Sequence, residues 1–535
     1  MRKINFLARL FFILFYLFSA HIADSQMYTE QIYKFGKVLD WINKYYVDTV
    51  NQEKLIESAI IEVLKNLDPH SAYHTKKEVK EMNEPLQGNY EGIGISFNVL
   101  LDTILVISSI SGGPSEKVGI QAGDRIVKIE GENVAGIGIT TNKVKEKLLG
   151  KKGTKVSVSV KRRRVKELLE FTITRDKVPI FSLDAAYMVN NDIGYIKLNR
   201  FSFTTMKEFK KAMAKLREQN IRHLILDLRE NRGGYLTEAV KLADQFLEDE
   251  KLIVYTEGLN SSRNENYATS AGEFEEKGKI VILINEGSAS ASEIVAGAIQ
   301  DWDRGVIIGR RSFGKGLVQR PLNLPDGSMI RLTVARYYTP TGRLIQKPYD
   351  RGLKEYAKDM IYRNNHGEFS HRDSIHFSDS LKYFTLKNKR VVYGSGGIMP
   401  DIFVSIDTSW YSNYYRELIS KGIFNRFILN YVDNNRETLN QKFPDFKQFN
   451  KEFMVSESIL AELINFASSE NLKKNDEEFN ISRERIKILF KAYVSRDLWA
   501  TSEFFEVINK RDTCFIKAIE VIENSAFYNK TILNR

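Results

Sequence analysis

Residues 279–293 read KIVILINEGSASASE, and this stretch decides the fold of the chain. The apolar, β-branched run 280–284 is bounded by polar residues, which predicts a buried strand. The small residues that follow predict a turn into a helix. Many α/β enzymes expose a nucleophile at such a junction, because free backbone N–H groups at a helix N-terminus stabilise a developing oxyanion. Ser288, Ser290 and Ser292 are therefore candidate nucleophiles.

A serine nucleophile needs a base, and a lysine follows a short way downstream. Lys315 stands between Gly314 and Gly316 in the run FGKGLVQ, residues 313–319. An apolar setting lowers the pKa of a lysine, which can then accept the serine proton as a neutral amine. The two glycines let the backbone pass close to other elements. Local chemistry alone also fits serines that cap a helix and a solvated lysine, because single motifs are weak evidence.

Further motifs accompany these two runs in a fixed order. LDPHSAY occupies residues 67–73, DLRENRGG occupies 227–234, Gln300-Asp301 follows the serine run, and GGIMPD occupies 396–401. Together they resemble the C-terminal processing peptidases, also called tail-specific proteases, over roughly residues 35–405. Several motifs in one order carry much more weight than any one of them alone.

The resemblance assigns roles that the local pattern leaves open. It implies that Ser290 is the nucleophile, that Lys315 is the general base, and that Gln319 orients the lysine. It also implies an oxyanion hole built from the backbone N–H of Ala291 and of one glycine in the pair Gly233 and Gly234. That pair follows the apolar run 223–228, so it is expected at the carboxyl end of a strand, where α/β sites form.

One acidic residue also matches a family position. Asp301 lies eleven residues after Ser290, which places it about 16 Å away along a single helix at ~1.5 Å per residue. A side chain at that distance cannot touch the serine. We therefore expect a structural role for Asp301, closing the helix or pairing with Arg304.

A second informative region lies upstream, at residues 85–176. Short apolar runs separated by glycine and proline turns predict a small β-rich module. Its order resembles a PDZ domain, and GIGI at Gly92, Ile93, Gly94 and Ile95 stands where PDZ domains bind a terminal carboxylate. Backbone N–H groups in such a loop form an anion nest, and the next strand edge takes up an extended peptide. The resemblance places Ile93 and Ile95 at the pocket for an apolar last side chain.

The chain of 535 residues has room for three or four domains. A basic start and an apolar stretch at residues 10–20 predict a signal peptide, and hence export to the periplasm, with an uncleaved membrane anchor as the alternative. Cys514 is the only cysteine, so no disulfide can form within the chain. The predicted domains are a signal peptide at 1–25, a helical region at 26–84, a PDZ domain at 85–176, an α/β core at 177–405 and a helical domain at 406–535.

The net charge of +11 comes mostly from basic residues interleaved with acidic ones. The dense basic patch at residues 161–166 is predicted to be an exposed hairpin between two PDZ strands. No nucleic-acid partner is expected, because no recognition motif accompanies this patch. The histidines lack metal-ligand motifs, so neither a metal nor a cofactor is expected.

The sequence thus predicts an exported serine endopeptidase with a Ser-Lys dyad. The resemblance implies an α/β protease core of the ClpP/crotonase type with an inserted PDZ domain, which captures flexible, apolar C-termini of protein substrates. A homodimer and proximity to a membrane stay open. The alternative from another class is a catalytically silent PDZ scaffold that holds substrates, and the intact Ser290, Lys315 and Gln319 argue against it. A serine hydrolase that acts only on small peptides is a closer rival.

Overall fold

The computed structural model describes residues 29–259, 261–269, 274 and 278–533. The predicted signal peptide lies outside these residues. Among the helices that are described, none has both the length and the apolar content that a membrane crossing requires. The chain divides into two compact units, Met1–Thr75 with Pro321–Leu332, and Lys76–Arg320 with Thr333–Arg535.

The smaller unit contains two helices and a short strand pairing. Its elements are α1 (29–45), α2 (Gln52–Lys65) and β1 (Ala72–His74). Helix α2 begins after Asn51, whose side-chain oxygen accepts a hydrogen bond from the backbone of Lys54 at 3.0 Å and so satisfies one free N–H of the first turn. Strand β1 pairs antiparallel with residues 329–331. This unit therefore includes a segment from much later in the chain, Pro321–Leu332.

The PDZ module is a small antiparallel sheet with two short helices. It follows α3 (Lys76–Gln87) and comprises β2 (Asn89–Gly92), β3 (Ile95–Leu100), β4 (Thr103–Ser109), α4 (Pro114–Lys117), β5 (Arg125–Ile129), β6 (Glu132–Asn133), α5 (Thr141–Leu148), β7 (Lys155–Lys161), β8 (Leu169–Thr174) and β9 (Asp176–Pro179). The main sheet has the order β3-β4-β5-β7-β8, so β3 is an edge strand. An edge strand presents backbone groups that can pair with an added peptide.

The α/β core lies in residues 183–403. Its elements are β10 (Leu183–Met188), β11 (Ile193–Leu198), α6 (Thr205–Arg217), β12 (His223–Asp227), α7 (Leu236–Asp244), β13 (Leu252–Gly258), β14 (Ser261–Tyr267), β15 (Ile280–Ile284), α8 (Ala291–Asp301), β16 (Val306–Gly309), β17 (Leu317–Asn323), β18 (Met329–Tyr338), α9 (Leu353–Asn365), β19 (Lys382–Phe384), β20 (Val391–Tyr393) and β21 (Ile402–Phe403). The central sheet has the order β10-β11-β12-β15-β16-β21, and all neighbours from β11 onward are parallel.

Both faces of this sheet are covered, which explains why its strands are continuously apolar. Successive side chains of a strand point to opposite faces. In β15, Ile280, Ile282 and Ile284 pack with helices α6, α7 and α8, whereas Val281 and Leu283 face a second cluster. That second cluster is completed by helices from the end of the chain, described next.

The C-terminal region is helical and has two parts. Its helices are α10 (Asn413–Ser420), α11 (Ile423–Lys442), α12 (Phe446–Glu452), α13 (Glu457–Ser469), α14 (Asp476–Leu498), α15 (Thr501–Ile508), α16 (Thr513–Glu523) and α17 (Ser525–Leu533). Helices α10 to α14 bury an aromatic-rich core of their own. Helices α16 and α17 instead cover the second face of the central sheet, with Phe515 and Tyr528 in its cluster. Helices α16 and α17 are thus part of the core that contains the central sheet.

The PDZ module packs against helix α11 through its outer sheet face. Leu429 of α11 meets Leu100 and Leu105 in a small buried cluster. The Asp433 carboxylate pairs with Arg125 at 2.9 Å. The basic patch forms the β7–β8 hairpin as predicted, and its Arg163 donates to the Asp433 carbonyl at 2.6 Å. This apolar cluster and the polar contacts beside it join the PDZ module to the helical region.

Candidate active site

Ser290 lies in the turn between β15 and α8, immediately before the first residue of the helix. Its φ of 56° and ψ of −113° lie outside the regions that L-residues prefer. Strained backbone of this kind persists only where the surroundings enforce it, and it clusters at functional sites. The side chain is partly exposed, whereas both neighbours in sequence are buried. The turn therefore presents Ser290, and not the flanking alanines, to the solvent.

The other two candidate serines hold the turn together. The Ser288 hydroxyl donates to the Leu228 carbonyl at 2.8 Å and accepts from the backbone N–H of Asn285 at 3.0 Å. The Ser292 hydroxyl donates to the Asn231 carbonyl at 2.8 Å. Both side chains are fully buried. Their hydroxyls are thus committed to the backbone, which distinguishes them from Ser290.

Only one residue of the glycine pair lies next to Ser290. A Cβ added to Gly233 would lie 2.8 Å from Ser290 Cβ and 3.0 Å from the nitrogen of Ala291, whereas one added to Gly234 would lie 2.0 Å from the Phe201 carbonyl oxygen. Gly233 thus adjoins the serine, and Gly234 faces Phe201. The N–H of Gly233 donates to the Asn231 side chain at 2.9 Å. Ala291 is the first residue of α8, where N–H groups have no partner within the helix.

The buried carboxylate of Glu293 accepts four hydrogen bonds. Its Oε2 accepts from the backbone N–H groups of Ser290 at 2.8 Å and Lys315 at 2.9 Å. Its Oε1 accepts from the Ser312 hydroxyl at 2.6 Å and the N–H of Gly314 at 2.7 Å. Burial raises the pKa of this carboxyl to about 6, although the four donors favour its ionised form. One oxygen thus holds the serine and the lysine segments together.

The lysine loop, residues 310–316, packs tightly by means of its glycines. A Cβ added to Gly314 would lie 2.8 Å from the backbone of Gly396, and one added to Gly316 would lie 2.8 Å from the nitrogen of Gln346. The close approach that the sequence predicted for these glycines is confirmed. Lys315 itself is partly exposed, like Ser290. Both groups can therefore be reached from outside.

Tyr337 forms a second link between the serine and the lysine. Its hydroxyl contacts the carbonyl of Ser290 at 3.2 Å and also that of Lys315. The ring is almost fully buried, and burial raises the pKa of the phenol well above its ordinary value. Sequence reasoning missed the bridging roles of Tyr337 and Glu293. Glu293 stood inside the motif, but only three-dimensional contact shows what it binds.

Gln319 lies on β17, and its side-chain amide donates to the Leu317 carbonyl at 3.3 Å and to the Thr333 hydroxyl at 3.4 Å. These contacts place the amide beside β18. Its proposed role in orienting Lys315 stays a prediction.

Asp301 is the last residue of α8 and is fully buried. Its carboxylate pairs with the buried Arg343 and accepts from the backbone and hydroxyl of Thr341 at 2.9 and 2.8 Å. The structural role expected from the sequence fits this position at the far end of the helix. The partner differs from the expected Arg304, whose guanidinium donates to the carbonyls of Phe246 and Gly278. The nearest basic residue in sequence is not the partner, because the segment that follows β18 returns alongside the end of α8.

The predicted peptide-binding loop lies between β2 and β3. Gly94 has a φ of 77°, and an added Cβ would lie 3.2 Å from Pro114. Ile93 and Ile95 are buried in the core cluster of the PDZ module. The backbone of this loop is thus held in a tight turn at the start of the edge strand β3.

Comparisons with known proteins agree with this geometry. Residues 192–354 match the model of peptidase family S41, and residues 92–174 match that of the PDZ domain. The carboxy-terminal-processing protease of Bartonella bacilliformis is 37% identical over 321 residues, which cover 59% of this chain and 73% of that protein. The chain belongs to the carboxy-terminal-processing proteases. It is a serine-type peptidase with an S41 core, a PDZ domain and a helical C-terminal region.

Other members of the family match over similar lengths. The carboxy-terminal processing protease CtpA of Bacillus subtilis is 34% identical, covering 61% of this chain and 68% of that protein. The probable CtpA-like serine protease of Staphylococcus saprophyticus is 35% identical, covering 60% of this chain and 63% of that protein, slightly less than two thirds of its length. A solved photosystem II D1 C-terminal processing protease is 29% identical and covers 58% of this chain and 89% of that chain, with a TM-score of 0.33. Residues 414–500 of this peptidase match a family of unknown function.

Proposed function

We propose that this peptidase cleaves proteins by a Ser-Lys mechanism. The neutral amine of Lys315 takes the proton of the Ser290 hydroxyl as its oxygen attacks the scissile carbonyl carbon. The N–H groups of Ala291 and Gly233 or Gly234 stabilise the resulting oxyanion. The tetrahedral intermediate expels the amine, which takes the proton from Lys315, and water then hydrolyses the acyl-enzyme. Gln319 orients the lysine.

One observation supports this proposal above the others. The same oxygen of Glu293 accepts the backbone N–H of both Ser290 and Lys315, at 2.8 and 2.9 Å. Two residues separated by 24 intervening positions in sequence are thereby fixed beside each other. Positioning of reacting groups to within about 1 Å is what such a mechanism needs, because larger errors cost roughly 100-fold in rate.

We further propose that the PDZ module selects substrates with flexible, apolar C-termini. The loop Gly92–Ile95 would bind the terminal carboxylate through backbone N–H groups, and the edge of β3 would pair with the substrate tail. The position of β3 at the end of its sheet supports this proposal. Because Ile93 and Ile95 face the module core, their part is to hold the loop while neighbouring groups complete the pocket.

Three broader proposals follow from the sequence. We propose a ClpP/crotonase-like core, supported by the central sheet with helices on both faces. We propose export to the periplasm on the basis of residues 1–25, with an uncleaved anchor and hence membrane proximity as the alternative. A homodimer through the N-terminal helices is supported by apolar side chains of α1 that are more than half exposed, including Ile32 and Trp41.

A cleavage assay tests the proposed function. The purified peptidase is incubated with a disordered protein that ends in a free apolar residue, and the products are identified by mass spectrometry. We expect endoproteolytic fragments that disappear in Ser290→Ala. Binding of the tail without cleavage by the wild type would instead support the silent scaffold, and cleavage of small peptides alone would support the narrower hydrolase.

A further inference from the structure

The segment that follows Asp350 precedes the GGIMPD motif and contains none of the motifs described above, and the structure places it against the lysine loop. The match to the S41 family model ends at residue 354. Helix α9 begins at Leu353 and ends at Asn365. This segment is therefore largely outside the part of the core that the family model describes.

Arg363, in the last turn of α9, holds the backbone just before the lysine. Its Nη1 donates to the Ser312 carbonyl at 3.0 Å, and its Nη2 donates to the Arg311 carbonyl at 2.8 Å. The residue is only 5% exposed. A planar guanidinium can satisfy two carbonyls at once, which the single ammonium of a lysine does less well. Two consecutive peptide units of the lysine loop are thus fixed by one side chain.

Glu368 orients this arginine and a second one. Its Oε1 accepts from Arg363 Nε at 2.8 Å, and its two oxygens accept from Arg311 Nε and Nη2 at 2.8 and 2.6 Å. Burial alone would raise the pKa of Glu368, but the hydrogen bonds and charges of Arg311 and Arg363 lower it below its ordinary value. The carboxylate therefore stays ionised between the two guanidinium groups. We call Arg311, Arg363 and Glu368 the arginine clamp.

Helix α9 also touches the middle of the loop. Tyr356 meets the ring of Phe313 edge-on, with centroids 6.4 Å apart. The Lys347 ammonium lies 4.3 Å from the centroid of Phe313 and 4.1 Å from that of Tyr356, and it pairs with Asp359 at 2.9 Å. The backbone N–H of Lys347 donates to the Gly314 carbonyl at 2.9 Å. These contacts fix the loop on the side of α9.

The opposite side of the loop is held by Glu293, which accepts from Ser312, Gly314 and Lys315 as described above. The loop is therefore enclosed between one carboxylate on the serine side and helix α9 on the other. Neither side alone fixes all of its peptide units. Lys315 is the residue whose position depends on both.

We propose that the arginine clamp is a positioning device for Lys315, holding the lysine loop so that its amine meets the Ser290 hydroxyl. This inference rests on the proposed roles of Ser290 and Lys315. The clamp acts through the backbone and does not touch the substrate. Its loss would let the loop move and give the Lys315 amine more contact with water, which favours the protonated amine and so raises the pH at which the base becomes neutral. The charged and titratable groups in the loop and packed around it include Glu286, Glu293, Arg310, Arg311, Tyr337, Lys347, Tyr356, Asp359, Arg363 and Glu368.

The test compares Arg363→Met and Arg363→Lys with two controls. Lys358→Ala changes an exposed residue of the same helix, and Leu463→Ala destabilises the C-terminal helical core, where Leu463 is buried. For each protein, kcat and KM are measured with the tail substrate, and the rate of Ser290 modification by a fluorophosphonate is followed against pH. Thermal melting verifies that each variant is folded at the assay temperature.

We expect kcat and the modification rate of Arg363→Met to fall at least ~10-fold with KM nearly unchanged, because misplaced reacting groups lose rate. The pH at which the modification rate is half-maximal should move upward, and Arg363→Lys should recover part of the loss. Both controls should keep the wild-type kcat and pH profile. Should Arg363→Met fail to fold, Arg363→Lys and Glu368→Gln provide the same comparison.

Two results would overturn the clamp. One is a folded Arg363 variant with wild-type kcat and pH profile, and the other is an equal loss of kcat in Leu463→Ala, which would show a general effect of stability. Failure of the proposed function itself looks different, because the wild type would then not cleave the tail substrate, or cleavage would persist in Ser290→Ala. A Ser290-dependent wild type with an unaffected Arg363 variant contradicts the clamp alone.

Discussion

At the scale of single residues, the hydrogen bonds of each serine side chain in the turn show which role it has. Ser290 is accessible and strained, whereas Ser288 and Ser292 are buried and bonded to backbone carbonyls. Three serines that the sequence pattern could not separate are thus separated by their hydrogen bonds. The motif resemblance pointed to Ser290, and the local geometry supports the same choice by an independent argument.

Serine substitutions should divide into two kinds. Ser290→Ala should abolish cleavage and change the free energy of unfolding by no more than about 1 kcal/mol, as for other residues preceding a helix. Ser288→Ala should keep substantial activity but lose about 1–3 kcal/mol of stability, because two buried backbone groups lose their partner. Cleavage rates and urea unfolding check both. Wild-type cleavage by Ser290→Ala would contradict the assignment.

The titration of the Glu293 carboxyl should make the free energy of unfolding depend on pH. Its pKa is about 6 in the folded state against an ordinary 4.5. Between these values the folded protein holds a proton that the unfolded chain has lost, so this contribution to stability is full below pH 4.5 and disappears as the pH rises through 6. Relative to Glu293→Gln, the wild type should lose roughly 2 kcal/mol across this window. Urea midpoints measured for both proteins at several pH values test the sign, and parallel curves would contradict it.

At the scale of elements, two loops and the start of one helix build the site. The glycine loop follows β12, the serine turn follows the neighbouring parallel strand β15, and the lysine loop follows β16. The carboxyl ends of these adjacent strands lie at one edge of the sheet, where α/β proteins place their sites. The order of the central strands therefore brings together motifs that are widely separated in sequence.

The glycine loop should tolerate no side chain next to Ser290. Gly233 has a φ of 96°, and an added Cβ would lie 2.8 Å from Ser290 Cβ and 2.9 Å from the Ala289 carbonyl oxygen. Gly233→Ala should therefore displace the loop or the serine and reduce kcat roughly 100-fold, because a misplacement of reacting groups by about 1 Å costs that much in rate. Substitution of Gly131, whose surroundings are open, controls for a general effect of positive φ. Equal kcat for Gly233→Ala and the wild type would remove this glycine from the site.

Much of this arrangement could be predicted from the sequence, and the reason is local. The apolar run at β15 and the small residues after it specify a strand, a turn and a helix within one short window. The partner of Asp301 could not be predicted in this way, because Arg343 reaches α8 only through the long return of the chain. The arginine clamp could not be predicted from the sequence either, because Arg311 and Glu368 are 57 positions apart.

At the scale of the whole molecule, the C-terminal region serves two other parts of the chain. Helices α16 and α17 cover the central sheet, and helix α11 holds the outer face of the PDZ module. The sequence predicted a helical domain at 406–535 but not what its helices contact. The structure shows that the final helices cap the core, whereas the earlier ones form a core of their own.

The contact of the PDZ module with α11 should limit its mobility. Leu429→Asp would place a charge in the cluster with Leu100 and Leu105, and buried charges without a partner are strongly unfavourable. We expect faster hydrogen exchange in β4 of this variant. Arg426→Ala, which removes an exposed ion pair with Glu470 and a hydrogen bond to the Lys421 carbonyl, should leave the exchange of β4 unchanged. Equal exchange in all three proteins would show that the module is held in some other way.

The most direct test of the Ser-Lys assignment is the pH dependence of Ser290 modification by a fluorophosphonate, compared between the wild type and Lys315→Met. For the wild type we predict a rate that rises with pH through one inflection well below the ordinary lysine value of about 10.4, since the base must be neutral. In folded Lys315→Met the rate should fall by roughly 100-fold or more and lose this inflection. An unchanged rate and inflection in Lys315→Met would show that another group activates Ser290, and would contradict the account.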